Sequence, residues 1–422
     1  MSTPTLRVLI SGAGISGPFA AYWLAKAGHD VTVTERAPAL RKEGQTVDVR
    51  KEGLQILDWM GIREKIDERC TKEAGMRLVD DNGRVWATFP QAGDTSFTSE
   101  VEIVRGEMAM VVHEASDPCI RYLFGMTIDT FGEVENGIDV VLKDRNGESL
   151  RQTFDVIIVS EGLYSRTRAK AFNEDITKPI TPFNLFSASF SLPANEDDSL
   201  WANSSMHSKR RMVLSRPDGF GRTRVTLMWF DDGPESRSIA HPSTSKDHQK
   251  EFIQSRYSDL LPSSPHLARL LDGLPASDDL YLAEIAQTKT SSWHRGRVVL
   301  VGDTAYCPSA FSGMGTTAAI VGAYVLAAEL VRNPKDHVKA FAQYETLLRP
   351  WIEKLQYIPP GLITMNPTSQ FAVNMWYWAM YAVSLLMKVG IASSLFMNSI
   401  PSADQTLPLP PPSIFDRADH SF

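Results

Sequence analysis

A glycine-rich turn between an apolar strand and a helix, an acid closing the next strand, and a strand-rich stretch after residue 180 predict an α/β fold. The expectation is a Rossmann-like dinucleotide-binding domain, a substrate domain built on a β-sheet, and helices followed by an extended tail at the C-terminal end. With 422 residues, 43% of them hydrophobic and 22% charged, the chain can bury a large core, and global disorder is not expected.

The formal net charge is −7 and no run of Lys and Arg stands out, which argues against a nucleic-acid partner. Cys70, Cys119 and Cys307 are too few and too far apart for a disulfide framework or a zinc site, so no metal is expected. They fit a reducing compartment. The N-terminal stretch Thr5-Leu6-Arg7-Val8-Leu9-Ile10 reads as a strand and not as a secretory signal, so the expected location is cytoplasmic.

Residues 6–36 form one βαβ unit. Residues 8–10 are a short apolar run of the kind found in buried parallel strands. Gly12, Gly14 and Gly17 follow at fingerprint spacing. Gly12 permits the sharp turn, Gly14 lets a pyrophosphate approach the backbone, and Gly17 lets the helix pack closely on the sheet. The free N–H groups and dipole at the helix start favour the pyrophosphate charge. Residues 19–27 carry apolar side chains at helical spacing, Gly28 closes that helix, and residues 31–34 form the second strand. Glu35 ends that strand, placed to accept hydrogen bonds from a ribose, and Arg36 follows. The fingerprint alone does not separate a flavin from a nicotinamide dinucleotide.

Farther on, Asn82-Gly83 and Asn146-Gly147 each lie between strand-like runs and read as hairpin turns. Residues 154–160 read as an apolar strand, 180–231 as mostly β, 297–301 as another strand, and 315–331 as a helix of small residues. The stretch 371–397 is rich in aromatic and aliphatic residues, and the Pro/Ser-rich stretch 399–413 reads as an extended tail.

The strand at 297–301 leads to Gly302-Asp303-Thr304-Ala305-Tyr306-Cys307-Pro308, then Ser312-Gly313-Met314-Gly315-Thr316. Asp303 is placed to accept from a sugar-like chain, and the N–H groups of residues 313–316 to face a flat, electron-rich ring. A surface loop with a capping acid is the competing reading. The whole segment resembles the second flavin motif of the class A flavoprotein monooxygenases, the para-hydroxybenzoate hydroxylase-like family. Its form is similar to a subgroup near the tetracycline-inactivating and secondary-metabolite monooxygenases. The resemblance implies that Asp303 holds the ribityl chain of FAD and that the loop with Pro308, Gly313, Gly315 and Thr316 lies beside the isoalloxazine. Thr304 and Tyr306 stand where that family usually has alanine and histidine.

A third segment, Ser160-Glu161-Gly162-Leu163-Tyr164-Ser165-Arg166-Thr167-Arg168, resembles the family motif that contacts both FAD and NADPH. Glu161 replaces the family's aspartate, while Gly162, Ser165 and Arg168 fit the remainder. Arg105 takes the place of a family arginine on FAD, Arg50 lies in a stretch resembling the strand that passes the flavin, and Arg36 is placed near the adenine. Each arginine read alone suits an ordinary solvated cation equally well.

The resemblance covers roughly residues 6–350 and implies an FAD-dependent monooxygenase. Such an enzyme uses NADPH or NADH as a transient co-substrate and O2 to insert one oxygen atom into a small aromatic or polycyclic substrate. A single fingerprint agrees with a nicotinamide that visits without a domain of its own. The expected FAD domain comprises 1–70, 101–174 and 281–350, the substrate domain 71–100 and 175–280, and the C-terminal part 351–422. Phe190, Met206, His207, Arg211, Met228 and Trp229 are candidate liners of the substrate face, although a core role competes for each. No residue declares itself the catalytic base. Hydroxylation, epoxidation and Baeyer–Villiger insertion are not separated. Two alternatives remain: another flavin oxidoreductase, or an FAD-binding protein without turnover, motivated by Glu161. For 371–397, a cover over the enzyme is favoured over membrane contact, because Asn374 and Lys388 interrupt it.

Overall fold

The computed structural model describes residues 5–41, 44–71, 73–90, 101–195, 198, 200–241, 243–359, 367–388 and 407–416. The fingerprint strand Arg7–Ser11 lies inside a six-stranded sheet. Parallel neighbours Asp30–Glu35 and Val156–Val159 flank it, with Arg121–Phe124 beyond the first and Val298–Leu300 beyond the second. The short strand His294–Arg295 adds an antiparallel edge. The residues of Val156–Val159 are all buried, as an interior parallel strand requires.

Two helices close this sheet. Ser16–Lys26 buries Phe19, Trp23 and Leu24 against Gly315–Arg332, whose small residues Ala318, Ala319, Gly322 and Ala323 allow close approach. Among the described residues, Gly315–Arg332 is the helix long and apolar enough to cross a bilayer, but it is packed inside the core.

A seven-stranded sheet carries the second half of the fold, in the order Tyr281–Thr288, Ile180–Pro193, Arg222–Phe230, Arg211–Pro217, Ala202–His207, Gly75–Val79, Val85–Pro90. Helices Pro234–Ala240, Lys246–Tyr257 and Pro265–Gly273 cover one face of it, burying Phe186, Phe190, Leu227 and Trp229. The anticipated turn at Asn82-Gly83 joins the last two strands, with Gly83 at φ +76°. Asn146-Gly147 likewise joins Gly137–Lys143 to Ser149–Phe154 in a separate three-stranded sheet. Thr46–Val49 pairs with Val101–Val104 and bridges the two large sheets.

The helix Gln370–Lys388 lies on the other face of the seven-stranded sheet, at its Val85–Pro90 end. Val373 and Tyr377 are buried there against Leu78, Ala87 and Met206. The Tyr377 hydroxyl donates to the Val79 carbonyl at 2.6 Å and accepts from Met206 N at 3.0 Å. Phe371, Met375 and Trp378 face outward.

Of the stretch read as an extended tail, 399–406 fall outside the described residues, and from residue 407 the chain is docked on the core. Leu407 N donates to Glu52 Oε1, and Tyr324 Oη donates to the Pro410 carbonyl at 2.6 Å. Phe415 is fully buried, its ring 4.7 Å from Trp23 and 5.3 Å from Tyr324 between centroids. A Pro/Ser-rich composition hides this anchor, because the docking residue lies just past the biased stretch.

Candidate active site

The glycine turn is built as its spacing predicts. Gly12 has φ +108°, and a Cβ there would come within 2.5 Å of the Ser160 carbonyl oxygen. A Cβ on Gly17 would overlap the Gly12 carbonyl, so helix and turn touch backbone to backbone. The first turn of Ser16–Lys26 has no side-chain cap and no acid, which leaves its N–H groups for an anion. Arg105, at the start of helix Arg105–Ala115, brings its guanidinium to the same place, 2.9 Å from where a Gly14 Cβ would stand. Glu35 is half-buried and accepts from Ala13 N at 3.0 Å and Ala37 N at 2.9 Å, which fixes its carboxylate beside the turn. Arg36 is exposed, with its carbonyl accepting from Arg145.

Asp303 arrives on the far side of that helix. Gly302, at φ +64°, presses against it, since a Cβ there would lie 2.7 Å from Ser16 Oγ. Burial raises the proton affinity of Asp303, and the positive charge of Arg105 opposes that shift. An uncapped helix start, a bare glycine cradle, an arginine and a half-buried carboxylate with raised pKa suit FAD: a pyrophosphate for the first three, a polyhydroxyl chain for the last. Pro308 is buried, and Gly313 at φ +60° turns the chain into the helix that opens with Gly315 and Thr316. Between them Ser309, a non-glycine residue at φ +77°, holds a strained backbone that the sequence did not flag.

Glu161 points into the protein. Its carboxylate accepts from Ser11 Oγ and Ser165 Oγ, both at 2.6 Å, and from the amide and hydroxyl of Thr167. Gly162 N donates to Thr304 Oγ1 at 2.8 Å. Arg168 is fully buried, donating to the carbonyls of Thr304 at 2.9 Å and Ile176 at 2.7 Å. Its guanidinium thus braces the Asp303 segment from behind and meets no ligand space, contrary to the contact anticipated for it.

On the seven-stranded sheet the candidate liners split between two faces. Phe190 and Trp229 lie under the three covering helices, with Trp229 Nε1 donating to Ser236 Oγ at 3.0 Å. Arg211 is on that side too, buried and paired with Asp259, while His207 is buried within 3.3 Å of Asp81 and bonded to Ser205. These four are corrected to framework residues. Met228 alternates with Trp229 and occupies the opposite, open face, where Met212 pairs with it and Met206 with Met212. That face meets the cofactor side, because Arg224 donates to the Gly44 carbonyl and Arg216 to Glu102.

The comparisons with known proteins agree with this layout. A family model described as an FAD binding domain matches residues 5–353. The chain belongs to the FAD-dependent monooxygenases. It is 32% identical over 412 residues to an FAD-dependent monooxygenase, asL4, of Sarocladium schorii, covering 91% of this chain and 93% of that one. It is 36% identical over 372 residues to monooxygenase CTB7 of Cercospora beticola, covering 86% and 87%. Among solved structures, tetracycline destructase Tet(51) superposes with a TM-score of 0.76 at 24% identity over 97% of this chain and all, 100%, of that one. HpxO of Klebsiella pneumoniae, complexed with FAD and uric acid, gives 0.68 at 18% identity, covering 93% and 97%.

The monooxygenase's two departures from the common motif have physical reasons. Thr304 supplies the hydroxyl that accepts from Gly162 N, a bond alanine cannot make. Tyr306 is buried and reaches Tyr344 Oη at 3.1 Å, and Gly322 leaves the space its ring needs. A cavity of about 500 Å³ lies behind the Asp303 segment, lined by Gln287, Thr288, Trp293, Tyr306, Arg349 and Gln356 among others. None of the residues anticipated from the sequence lines it.

Sequence reasoning also missed a row of acids in this monooxygenase. Asp48 and Glu102 are directly opposed on the two-stranded bridge, and Glu73 joins them. Arg216 lies 3.2 Å from both Glu73 and Glu102, and Arg50 lies 3.6 Å from Asp48. Burial raises all three carboxyls, Asp48 to about 7, with the negative charge of Glu102 adding to its shift. Acids alternating with valine and isoleucine in short strands were the available signal.

Proposed function

We propose that this monooxygenase uses NADPH or NADH and O2 to insert one oxygen atom into a small aromatic or polycyclic metabolite. The observation that carries the substrate class is the open sheet face. Met228 and Met212 are in register on adjacent strands, with Met206 next in line buried under helix Gln370–Lys388, and give this face a soft, polarizable wall at its open end. Such a wall suits a flat ring better than a charged or sugar-like substrate, and the half-buried Thr226 and Ser189 add a few hydroxyls for orientation. The relatives' names as monooxygenases agree with the reaction class.

Gly12, Gly14, Gly17 and Arg105 would hold the FAD pyrophosphate, Glu35 a ribose, Asp303 the ribityl chain, and residues 313–316 the ring. Bound FAD, once reduced, supplies an electrophilic oxygen atom from O2. The protein's own part is to orient the substrate on the methionine wall and to keep water out, with helix Gln370–Lys388 closing one end of that face. The test is product analysis under 18O2 with a panel of aromatic polyketides and alkaloids. The expected result is substrate-dependent NAD(P)H consumption and a product that gains one labelled oxygen. Consumption without any labelled product across the panel would overturn it.

A further inference from the structure

The acid row is the strongest feature that the monooxygenase reading leaves unused. It is open at one end only. The Asp48 side chain is 22% exposed, whereas those of Glu102 and Glu73 are 5% and 2% exposed. The open end faces the cofactor loop: Asp48 Oδ2 lies 3.9 Å from where a Gly313 Cβ would stand, and Arg50 N donates to Thr317 Oγ1 in the following helix. The closed end touches the substrate sheet through Arg216, on the same face as Met212. Three carboxyls share two cations, Arg216 and Arg50, so one of the three is best kept protonated. Glu73 is held by Arg216 at 3.2 Å and by a side-chain hydrogen bond shared with Glu102, so the two inner carboxyls are coupled.

We propose that Asp48 is the acid–base residue of the oxygenation site, and that Glu102, directly opposite it, and Arg216 behind are positioning residues. This rests on reading the Gly313 loop as the flavin loop. The substrate class narrows to compounds with an ionisable O–H, a phenol or enol. In the step, the substrate O–H bond breaks and an Asp48 Oδ–H bond forms. The electron pair left on the substrate oxygen makes the ring a better donor toward the incoming electrophilic oxygen. The proton leaves Asp48 to water when the product departs. Burial and the facing Glu102 raise the carboxyl into the range where it can both take and release a proton near neutrality, and Arg50 and Arg216 limit that rise.

The test uses the FAD-loaded, full-length protein and reads the absorbance of the bound flavin as pH is raised from about 5 to about 9. In the unmodified protein a spectral transition is expected near pH 7, because a charge appears beside the ring. Asp48→Asn should keep FAD and lose the transition. Glu102→Gln removes the facing negative charge and should move the midpoint down by about one pH unit. With a phenolic substrate, the kcat profile should follow the same midpoints, with KM changed far less than kcat. A yellow protein with a flat spectrum, or an Asp48→Asn variant that keeps the transition, overturns the role of Asp48 alone. So does Glu102→Gln with an unmoved midpoint, which decides the matter should Asp48→Asn fail to fold. A protein that takes up no FAD overturns the flavin reading first and this proposal with it.

Discussion

Ser11 Oγ donates to Glu161 at 2.6 Å, tying the end of the fingerprint strand to the segment that follows its parallel neighbour. Serine and glutamate are 150 positions apart in sequence, and the carboxylate also takes the donors at the start of helix Arg166–Phe172. Glu161 therefore works as a splint under the pyrophosphate turn. Glu161→Asp restores the family's residue but is one methylene short of these donors. We expect it to cost about 1–3 kcal/mol, read as a lower urea midpoint at unchanged slope. An unchanged midpoint would return Glu161 to the role of a tolerated substitution.

The fingerprint glycines should fail differently. A Gly14 Cβ meets only the tip of the Arg105 side chain, which can swing away. Gly14→Ala should leave the melting temperature of the FAD-free protein nearly unchanged and weaken FAD binding. Gly17→Ala drives a methyl into the Gly12 carbonyl and should lower the melting temperature itself. Equal effects of the two on melting would contradict this division.

Asp303→Asn should trade affinity for stability. Burial raises the pKa of Asp303, so the native state binds its proton more tightly than the unfolded chain. Its contribution to stability therefore falls as pH rises from the unfolded carboxylate value, about 3.9, through the raised native one, and stays reduced above it. Asparagine removes that loss. Relative to the unmodified protein, the FAD-free variant should gain stability at neutral pH and gain none at strongly acid pH. Its FAD affinity should drop by an amount corresponding to about 1–3 kcal/mol. Calorimetry across pH with fluorescence titration of FAD measures both.

Tyr377 is the pin of the roofing helix, holding the Val79 carbonyl and the Met206 amide with one hydroxyl. Tyr377→Phe should cost about 1–3 kcal/mol and raise amide exchange in residues 370–388 before it changes global unfolding. A chain stopped after Gln356 loses this helix and the Phe415 anchor together, bares Leu78, Phe89 and Met206 as well as Trp23, and should aggregate. A soluble, active truncation would refute the roof.

The cofactor cradle was legible because its information is local. Glycine spacing, the strand before it and the acid after it all fall within one βαβ unit, and Asp303 sits in a contiguous segment. The face of the seven-stranded sheet that carries Met228 was not legible for the same reason. Alternation in Arg222–Phe230 separates Met228 from Trp229, but which side is open depends on three helices supplied by residues 234–273. Arg168 was misread because a buried guanidinium and a solvated one look alike at a helix start. Asp48 and Glu102 acquire meaning only when two short strands, far apart in the chain, are laid in register.

Phe415, wedged between Trp23 and Tyr324, makes nearly the last described residue part of the first helix's packing. During translation, the N-terminal unit emerges first yet cannot seal its own interior. A polypeptide halted after residue 324 but short of Phe415 leaves the Trp23 and Tyr324 rings without that cover, an apolar signal of the kind chaperones and proteases recognise. The contact thus serves as an inspection stamp: only a chain made through to Phe415 conceals it.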